Sequence, residues 1–226
     1  EGIKIGPSYF KKDTYFKISK KTEKKLNKIN IKIEYDCRII KKNKDFYLLL
    51  PISIQEKERI INYDNYCGID PGVRTFLTIY NKTKCYEYKH NIDLLHKLNN
   101  KIDKLKAKRK KKRIKKRKRL NKLDLKKENL INELHWKAIN NIIKTNDIIF
   151  YGNINSHNIV KNKKNKILNR NINDLKFYKF KERLFYKANI NKKLIFEINE
   201  AYTSQTCSYC GNITKIGNIK TYNCNN

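Results

Sequence analysis

The segment that most constrains the fold is "YCGIDPGVRTFLTIY" at 66–80, which places one aspartate between two β-type runs. Pro71-Gly72 is a dipeptide typical of turns, so the pattern predicts a hairpin turned there, with "KCYEYK" as a third strand. Asp70 then ends a strand, where α/β sheets tend to carry groups that handle ligands. The structural alternative is a turn aspartate that only accepts a backbone hydrogen bond.

Helical periodicity follows this hairpin. Apolar residues recur at helical spacing from Leu94 to Leu105 and again from Leu123 to Ala138, which predicts a helical insertion over 91–146. Beyond it the pattern predicts a strand, an amphipathic helix and a last strand, at 147–154, 174–189 and 193–199. This order predicts an α/β fold with a mixed sheet.

The first sixty residues have a different pattern. Short β-type runs from Ile3 to Ile54 are separated by Lys-rich stretches that we interpret as turns. Alternation at Ile31, Ile33 and Tyr35 favours half-buried strands. We therefore predict an all-β, barrel-like segment over 1–60.

The charge of the chain is extreme. It has 54 Lys and Arg against 21 Asp and Glu, a formal net charge of +33, which indicates a polyanionic partner such as nucleic acid. The block "KLKAKRKKKRIKKRKRL" at 104–120 is a solvated bend of a helical hairpin, a nuclear-localisation signal or a phosphate-contacting surface, and its density favours phosphate contact. The predicted nucleic-acid-binding side chains are Lys108, Arg109, Arg113, Lys116, Arg117 and Arg119.

No apolar run approaches the roughly 18 residues that cross a bilayer, so we expect no membrane partner. Cys37, Cys67 and Cys85 are scattered whereas Cys207 and Cys210 are clustered, which suits a metal site in a reducing compartment better than a disulfide framework. The chain contains no Met, even at position 1, and we expect it to be a fragment.

The C-terminal cysteines have the spacing of a zinc knuckle. Cys207-x2-Cys210 is followed directly by Gly211 and later by Cys224. Tetrahedral Zn²⁺ takes four such ligands, so we expect a fourth cysteine after Asn226 and a partial zinc ribbon here. A redox-active C-x-x-C is the alternative, but that motif normally opens a helix.

Two further carboxylates precede the knuckle. Glu197 and Glu200 are at the end of the last predicted strand, and acids at strand ends in so basic a chain favour a divalent metal. His135 and Trp136 are in a helical segment, where we expect a hydrogen-bonded histidine and a packed indole.

Four stretches in this order resemble the TnpB family of transposon-encoded RNA-guided DNA nucleases, and most of all its eukaryotic and viral branch, Fanzor. They are "GIDPGVRTFLTIY", "NELHWKAINNIIKTNDIIFYGNI", "LKFYKFKERL" and "EAYTSQTCSYCG". The resemblance implies an RNase H-like (RuvC) domain over 61–202 and a truncated zinc ribbon over 203–226. It also implies that 1–60 is the end of a β-rich wedge that contacts guide RNA.

The resemblance further implies three acids that hold catalytic Mg²⁺. Asp70 matches the first acid, but Gly152 and Asn153 occupy the position of the usual second one. Glu200 fits the alternative glutamate of Fanzor-like proteins, with Glu197 as the lesser candidate. We expect the third acid beyond Asn226.

The sequence therefore predicts a Mg²⁺-dependent, RNA-guided DNA endonuclease that binds guide RNA and target DNA. The alternative is an inactive truncated remnant that only binds nucleic acid. A strand-exchanging transposase is disfavoured, because no Tyr or Ser is in a setting that activates it as a nucleophile. We expect an intracellular protein, nuclear in a eukaryotic or viral host and otherwise in the cytoplasm or nucleoid.

Overall fold

The structure is a computed structural model, in which the chain forms two compact units, 1–57 and 58–226. The structure describes residues 3–4, 15–16, 19–29, 35–42, 45–53, 60–107, 113–154, 166–199, 203, 205–207, 209–214 and 224.

The described residues of the unit 1–57 form two small antiparallel sheets and one helix. Strands β1 (Ile3–Lys4) and β2 (Tyr15–Phe16) pair with each other, as do β3 (Arg38–Lys42) and β4 (Asp45–Leu49). Helix α1 spans Lys20–Ile29, so the prediction of an all-β segment is wrong.

The error has a local cause in α1. The backbone N–H of Thr22 donates to Ser19 Oγ at 3.2 Å, a helix N-cap, and Glu23 follows in the first turn. Lysine has good helix propensity, so a capped Lys-rich stretch forms a helix where we predicted only a turn.

The unit 58–226 is built on a five-stranded mixed sheet. Its strands are β5 (Tyr66–Pro71), β6 (Leu77–Asn81), β7 (Cys85–Tyr88), β8 (Ile148–Gly152) and β9 (Leu194–Ile198). Their order across the sheet is β7-β6-β5-β8-β9. The first three strands form an antiparallel meander, whereas β5, β8 and β9 run parallel. The predicted mixed sheet and all five of its strands are confirmed.

The turn of the first hairpin differs from the prediction. Pro71 is the last residue of β5 and pairs with Leu77, so the chain turns at 72–76 rather than at Pro71-Gly72. A Cβ atom on Gly72 would come within 2.9 Å of the Thr75 carbonyl oxygen, which is why the turn needs glycine there. The turn ends in Phe76, which is fully buried and anchors the hairpin in the core.

Two long helices connect β7 to β8. Helix α2 spans Ile92–Ala107 and α3 spans Arg113–Thr145, which confirms the helical character predicted for 91–146. They run antiparallel, because Lys127 Nζ donates to Asn99 Oδ1 at 3.3 Å while Lys116 Nζ donates to the Lys106 carbonyl at 3.1 Å. Asn91 caps α2 through a 2.9 Å bond from the Leu94 N–H to its Oδ1.

Helices α4 (Lys166–Leu175) and α5 (Phe177–Ile190) connect β8 to β9. We predicted one helix over 174–189, but Lys176 has φ of 51° and separates the two. A single left-handed residue breaks the run of backbone hydrogen bonds, and periodicity alone does not show it.

The hydrophobic core lies on one face of the sheet. Cys67, Ile69 and Ile79 point from the strands toward apolar residues of α2, α3 and α5. Phe76 stacks on His135 at 5.2 Å between ring centroids, and His135 Nε2 lies 2.9 Å from the Leu175 carbonyl oxygen. The prediction of a packed, hydrogen-bonded histidine is confirmed. No described helix is both long and apolar enough to span a bilayer.

Candidate functional site

Asp70 lies next to the end of the central strand, β5. Residues alternate across this strand, so buried Ile69 and Pro71 point into the core and the exposed Asp70 points to the opposite face. Within the part of the chain that the structure describes, its carboxyl makes no hydrogen bond and no ion pair. Partial burial against surrounding protein atoms nevertheless desolvates this carboxyl and raises its pKa above the ordinary 3.8.

The carboxyl ends of three parallel strands meet beside Asp70. Strand β8 pairs with β5 up to Ile69 and Tyr151, so the residues that follow at this edge are Asp70 and Gly152. Asn153 then donates its backbone N–H to the Ile198 carbonyl at 3.0 Å, which joins the ends of β8 and β9. Gly152 and Asn153, at the end of β8, carry no carboxylate, so this strand supplies no acid beside Asp70.

Of the two candidate glutamates, the structure describes Glu197 but not Glu200. Glu197 pairs with Tyr151, which in turn pairs with the core residue Ile69, so Glu197 is on the face opposite to Asp70. Its carboxylate is also bound by Lys181 of α5 at 2.5 Å. Glu200 is outside the described residues.

The three C-terminal cysteines lie together. The Sγ atoms of Cys207, Cys210 and Cys224 are all within 4.8 Å of one another, and those of Cys210 and Cys224 are 3.5 Å apart. Four sulfurs at about 2.3 Å from a tetrahedral zinc would be about 3.8 Å apart, so these spacings fit three ligands of one ion. The donor set of soft thiols also suits zinc.

The backbone around these cysteines forms a tight knuckle. The Gly211 N–H donates to the Cys207 carbonyl at 2.9 Å, and Gly211 has φ of +74°, which favours glycine. The Cys207 N–H donates to the Asn212 carbonyl at 2.8 Å. Backbone N–H groups of Cys210 and Tyr209 also point at the Cys207 sulfur, and these bonds lower the pKa of its thiol from 9.0 to about 7.

The predicted nucleic-acid-binding residues are only partly described. Lys108 and Arg109 are outside the described residues, and for Arg113 only the helical backbone is described. Lys116 donates to the Lys106 carbonyl near the end of α2, where a cation stabilises the helix terminus.

Of the remaining two, Arg117 is exposed on α3, and Arg119 lines a groove of about 490 Å³ between α2 and α3. Lys104, at the start of the predicted basic block, lines the same groove, and so do three lysines outside that block, namely Lys101, Lys122 and Lys126. The signal that could have found them is their spacing of three or four residues beside apolar positions, which places cations on one flank of a helix.

The fold and the site define an α/β protein with a five-stranded mixed sheet, an acid at the end of its central strand and a C-terminal cysteine cluster. The same fold is found in the cryo-EM structure of the Cas12f1–sgRNA–target DNA complex. The TM-score is 0.55 at 21% identity, and the match covers 80% of this chain and 39% of that chain.

The sequence comparisons identify the family. Residues 50–163 match the family OrfB_IS605, described as a probable transposase, and residues 177–226 match the Cas12f1-like TNB domain. The TnpB-like proteins L770 and R854 of Acanthamoeba polyphaga mimivirus are each 30% identical to this chain over an alignment of 245 residues, and the alignment covers 98% of this chain. The chain belongs to the TnpB-like transposase family. It spans 45% of the length of either relative.

Proposed function

We propose that this chain is part of a transposon-encoded, RNA-guided DNA endonuclease whose nuclease domain is RNase H-like (RuvC). The observation that carries the proposal is the position of Asp70 at the open end of the central strand of the mixed sheet. Membership of the TnpB-like family and the fold shared with Cas12f1 support it. The sgRNA and target DNA of that Cas12f1 complex motivate guide RNA and target DNA as the partners here.

Asp70 has the chemistry of a metal ligand. Asp70 has no cationic partner among the described residues, and its exposed position leaves the carboxylate oxygens accessible. Oxygen ligands of this kind suit Mg²⁺, which when bound activates water and stabilises the leaving oxygen in phosphodiester hydrolysis. The raised pKa reflects a carboxylate that water solvates poorly, and such a group gains more from a cation.

Glu200 is our candidate for the second acid. Glu197 is disfavoured because it is on the face opposite to Asp70 and is bound by Lys181. Glu200 follows β9 by two residues in the sequence, and β9 is parallel to the strand that carries Asp70.

The catalytic proposal is tested in the whole native protein, assembled with its guide RNA and supplied with Mg²⁺ and target DNA. We expect Asp70→Ala and Glu200→Ala each to abolish cleavage and to leave RNA binding intact. Glu197→Ala is the matched control and should retain cleavage. Loss of cleavage in the Glu197 variant with retention in the Glu200 variant would reassign the second acid.

A nucleic-acid-binding remnant is the second candidate, favoured by Gly152 and Asn153 where a second acid is usual. It predicts strongly salt-dependent nucleic-acid binding by the whole native protein with no cleavage under any divalent metal. The same assays therefore separate the two functions. Either function requires an intracellular location, which we propose is the nucleus in a eukaryotic or viral host.

We also propose that Cys207, Cys210 and Cys224 bind structural Zn²⁺. The close sulfurs, the knuckle and the lowered pKa of Cys207 favour this over a redox-active dithiol, which needs only two cysteines. Co²⁺ added to the reduced chain should give thiolate charge-transfer absorption that Cys224→Ser weakens and Cys85→Ser leaves unchanged. Because binding requires thiolates, the signal should fall as the pH falls below about 7. An unchanged signal in the Cys224 variant would contradict a three-cysteine site.

A further inference from the structure

The groove between α2 and α3 has an unusual lining. We call it the α2–α3 basic groove. Its cations come from both helices and are Lys101, Lys104, Arg119, Lys122 and Lys126. Its remaining lining is Leu105 and Leu123, which are half-buried. The groove is therefore lined by cations from both helices and by two apolar side chains.

No acid among the described residues lines this groove. None of its five cations forms an ion pair with any residue that the structure describes. Two carboxylates beside these helices are paired elsewhere, where Asp103 binds Arg170 at 2.6 Å and Asp174 binds Lys127 at 2.8 Å. Like charges held side by side repel each other, so the groove is suited to an anion with several charges.

The cations also have a spacing that suits a polymer. Arg119, Lys122 and Lys126 follow one flank of α3, and at 1.5 Å per residue the row is about 10 Å long. Lys101 and Lys104 form a second row on α2. One nucleic-acid strand advances about 3.4 Å per nucleotide along the duplex axis, so a row of this length spans about three nucleotides, and its three cations can contact two or three of their phosphates.

The described lining of the groove contains no group that reads a base. Asn and Gln, which read base edges, are absent from it, and so are the aromatic side chains on which unpaired bases stack. The geometry points to a site for the phosphate backbone of one strand of a nucleic-acid duplex, bound without regard to sequence. The inference rests on the proposed function for its ligand class and adds the surface and the mode of contact.

The test uses the full 226-residue chain with all five cations replaced, K101Q, K104Q, R119Q, K122Q and K126Q. Binding of a 20-base-pair DNA duplex, of an RNA duplex and of a single strand of the same length is measured by fluorescence anisotropy over a series of NaCl concentrations. Loss of two or three phosphate contacts should reduce the slope of log K against log salt by about 2, because each contact contributes about 0.9. Two unrelated sequences should lose affinity equally, and comparison of the two duplexes identifies the preferred nucleic acid.

A matched control removes the same charge elsewhere. Helix α1 has five exposed lysines, and the control variant is K20Q, K21Q, K24Q, K25Q and K28Q. It should keep a steeper salt slope than the groove variant. Thermal denaturation of both variants checks that each is folded, and glutamine keeps good helix propensity.

Three outcomes would overturn the inference. The first is a groove variant whose salt slope equals that of the wild type. The second is an α1 variant whose slope falls as much as that of the groove variant. The third is a loss of affinity in the groove variant that is larger for single strands than for duplexes. If the unmodified chain binds no nucleic acid at 50 mM NaCl, the nucleic-acid part of the proposed function fails with it. If the groove variant loses duplex binding while the whole native protein does not cleave, only the nuclease proposal fails.

Discussion

At the scale of single residues, Asp70 carries a cost to the stability of the fold. Its carboxyl is partly desolvated and has no described partner, so ionisation is less favourable in the folded chain than in the unfolded one. A group with a raised acid pKa weakens the folded state once the pH exceeds its ordinary pKa. A bound cation would offset that penalty.

We therefore expect Asp70→Asn to raise the melting temperature at pH 7.5 in metal-free buffer. The gain should shrink as the pH falls toward 3.8, because the wild-type carboxyl then becomes neutral too. Asp64→Asn is the control, since Asp64 is exposed and pairs with Lys82 at 3.5 Å. A lower melting temperature for the Asp70 variant at pH 7.5 would show that its carboxylate has a stabilising partner.

His135 shows the opposite sign of pH dependence. It is fully buried, its Nε2–H donates to the Leu175 carbonyl, and its Nδ1 accepts from Arg183 at 3.1 Å. Burial lowers its pKa from 6.5 to about 4, so the neutral ring is the form that fits the folded state.

Stability that depends on neutral His135 is present above pH 6.5 and is lost as the pH falls toward 4. The change in the pKa of His135 corresponds to about 3 kcal/mol of the free energy of unfolding. We expect His135→Gln to be less stable than wild type at pH 7.5 but to lose less free energy of unfolding between pH 7 and pH 4.5. Urea denaturation across that range measures it, and parallel profiles would contradict a buried neutral imidazole.

At the scale of elements, the α2–α3 pair has two different flanks. One flank is the α2–α3 basic groove, whereas the other holds α4 through the Arg170–Asp103 pair and through Asp174. Asp174 accepts from Lys127 and Asn99, both at 2.8 Å. The five cations that line the groove have no such acidic partner among the described residues.

We expect Asp174→Ala to destabilise the unit 58–226 by about 1–3 kcal/mol, because it leaves the half-buried Lys127 and the buried Asn99 without their shared acceptor. Glu133→Ala is the control, since its pair with Lys137 is exposed and should contribute much less. Urea denaturation of both variants measures the difference. Equal losses would mean that the bonds from Asp174 do not hold α4.

At the scale of the whole molecule, the net charge of +33 opposes compaction. Salt screens repulsion among exposed cations and also weakens binding to nucleic acid. Folding and binding should therefore respond to salt with opposite signs.

We expect the melting temperature to rise between 50 and 500 mM NaCl in the absence of nucleic acid. Differential scanning fluorimetry measures it, with glycerol at matched viscosity as a control for non-ionic effects. A melting temperature that falls over this range would mean that attractive ion pairs, rather than repulsion, dominate the surface electrostatics.

The sequence predicted most elements of the unit 58–226 because their periodicity is strong. The strands around Asp70 and the helices of 91–146 are marked by apolar spacing and by the turn residues between the strands. Prediction failed where local patterns are ambiguous, at the Lys-rich α1 and at Lys176 between α4 and α5. A capped lysine stretch and a left-handed residue have no distinct periodicity.

By itself the sequence determined which residues are candidates for chemistry. Motif and spacing singled out Asp70 beside a predicted turn and the three C-terminal cysteines of a predicted knuckle, because such signals lie between neighbouring residues. Only the tertiary structure decided which side chains share a surface. It separated Glu197 from Asp70 across the sheet and joined Lys101 to Lys126 across two helices. Strand pairing and helix packing set those relations between residues far apart in the chain, and no local pattern contains them.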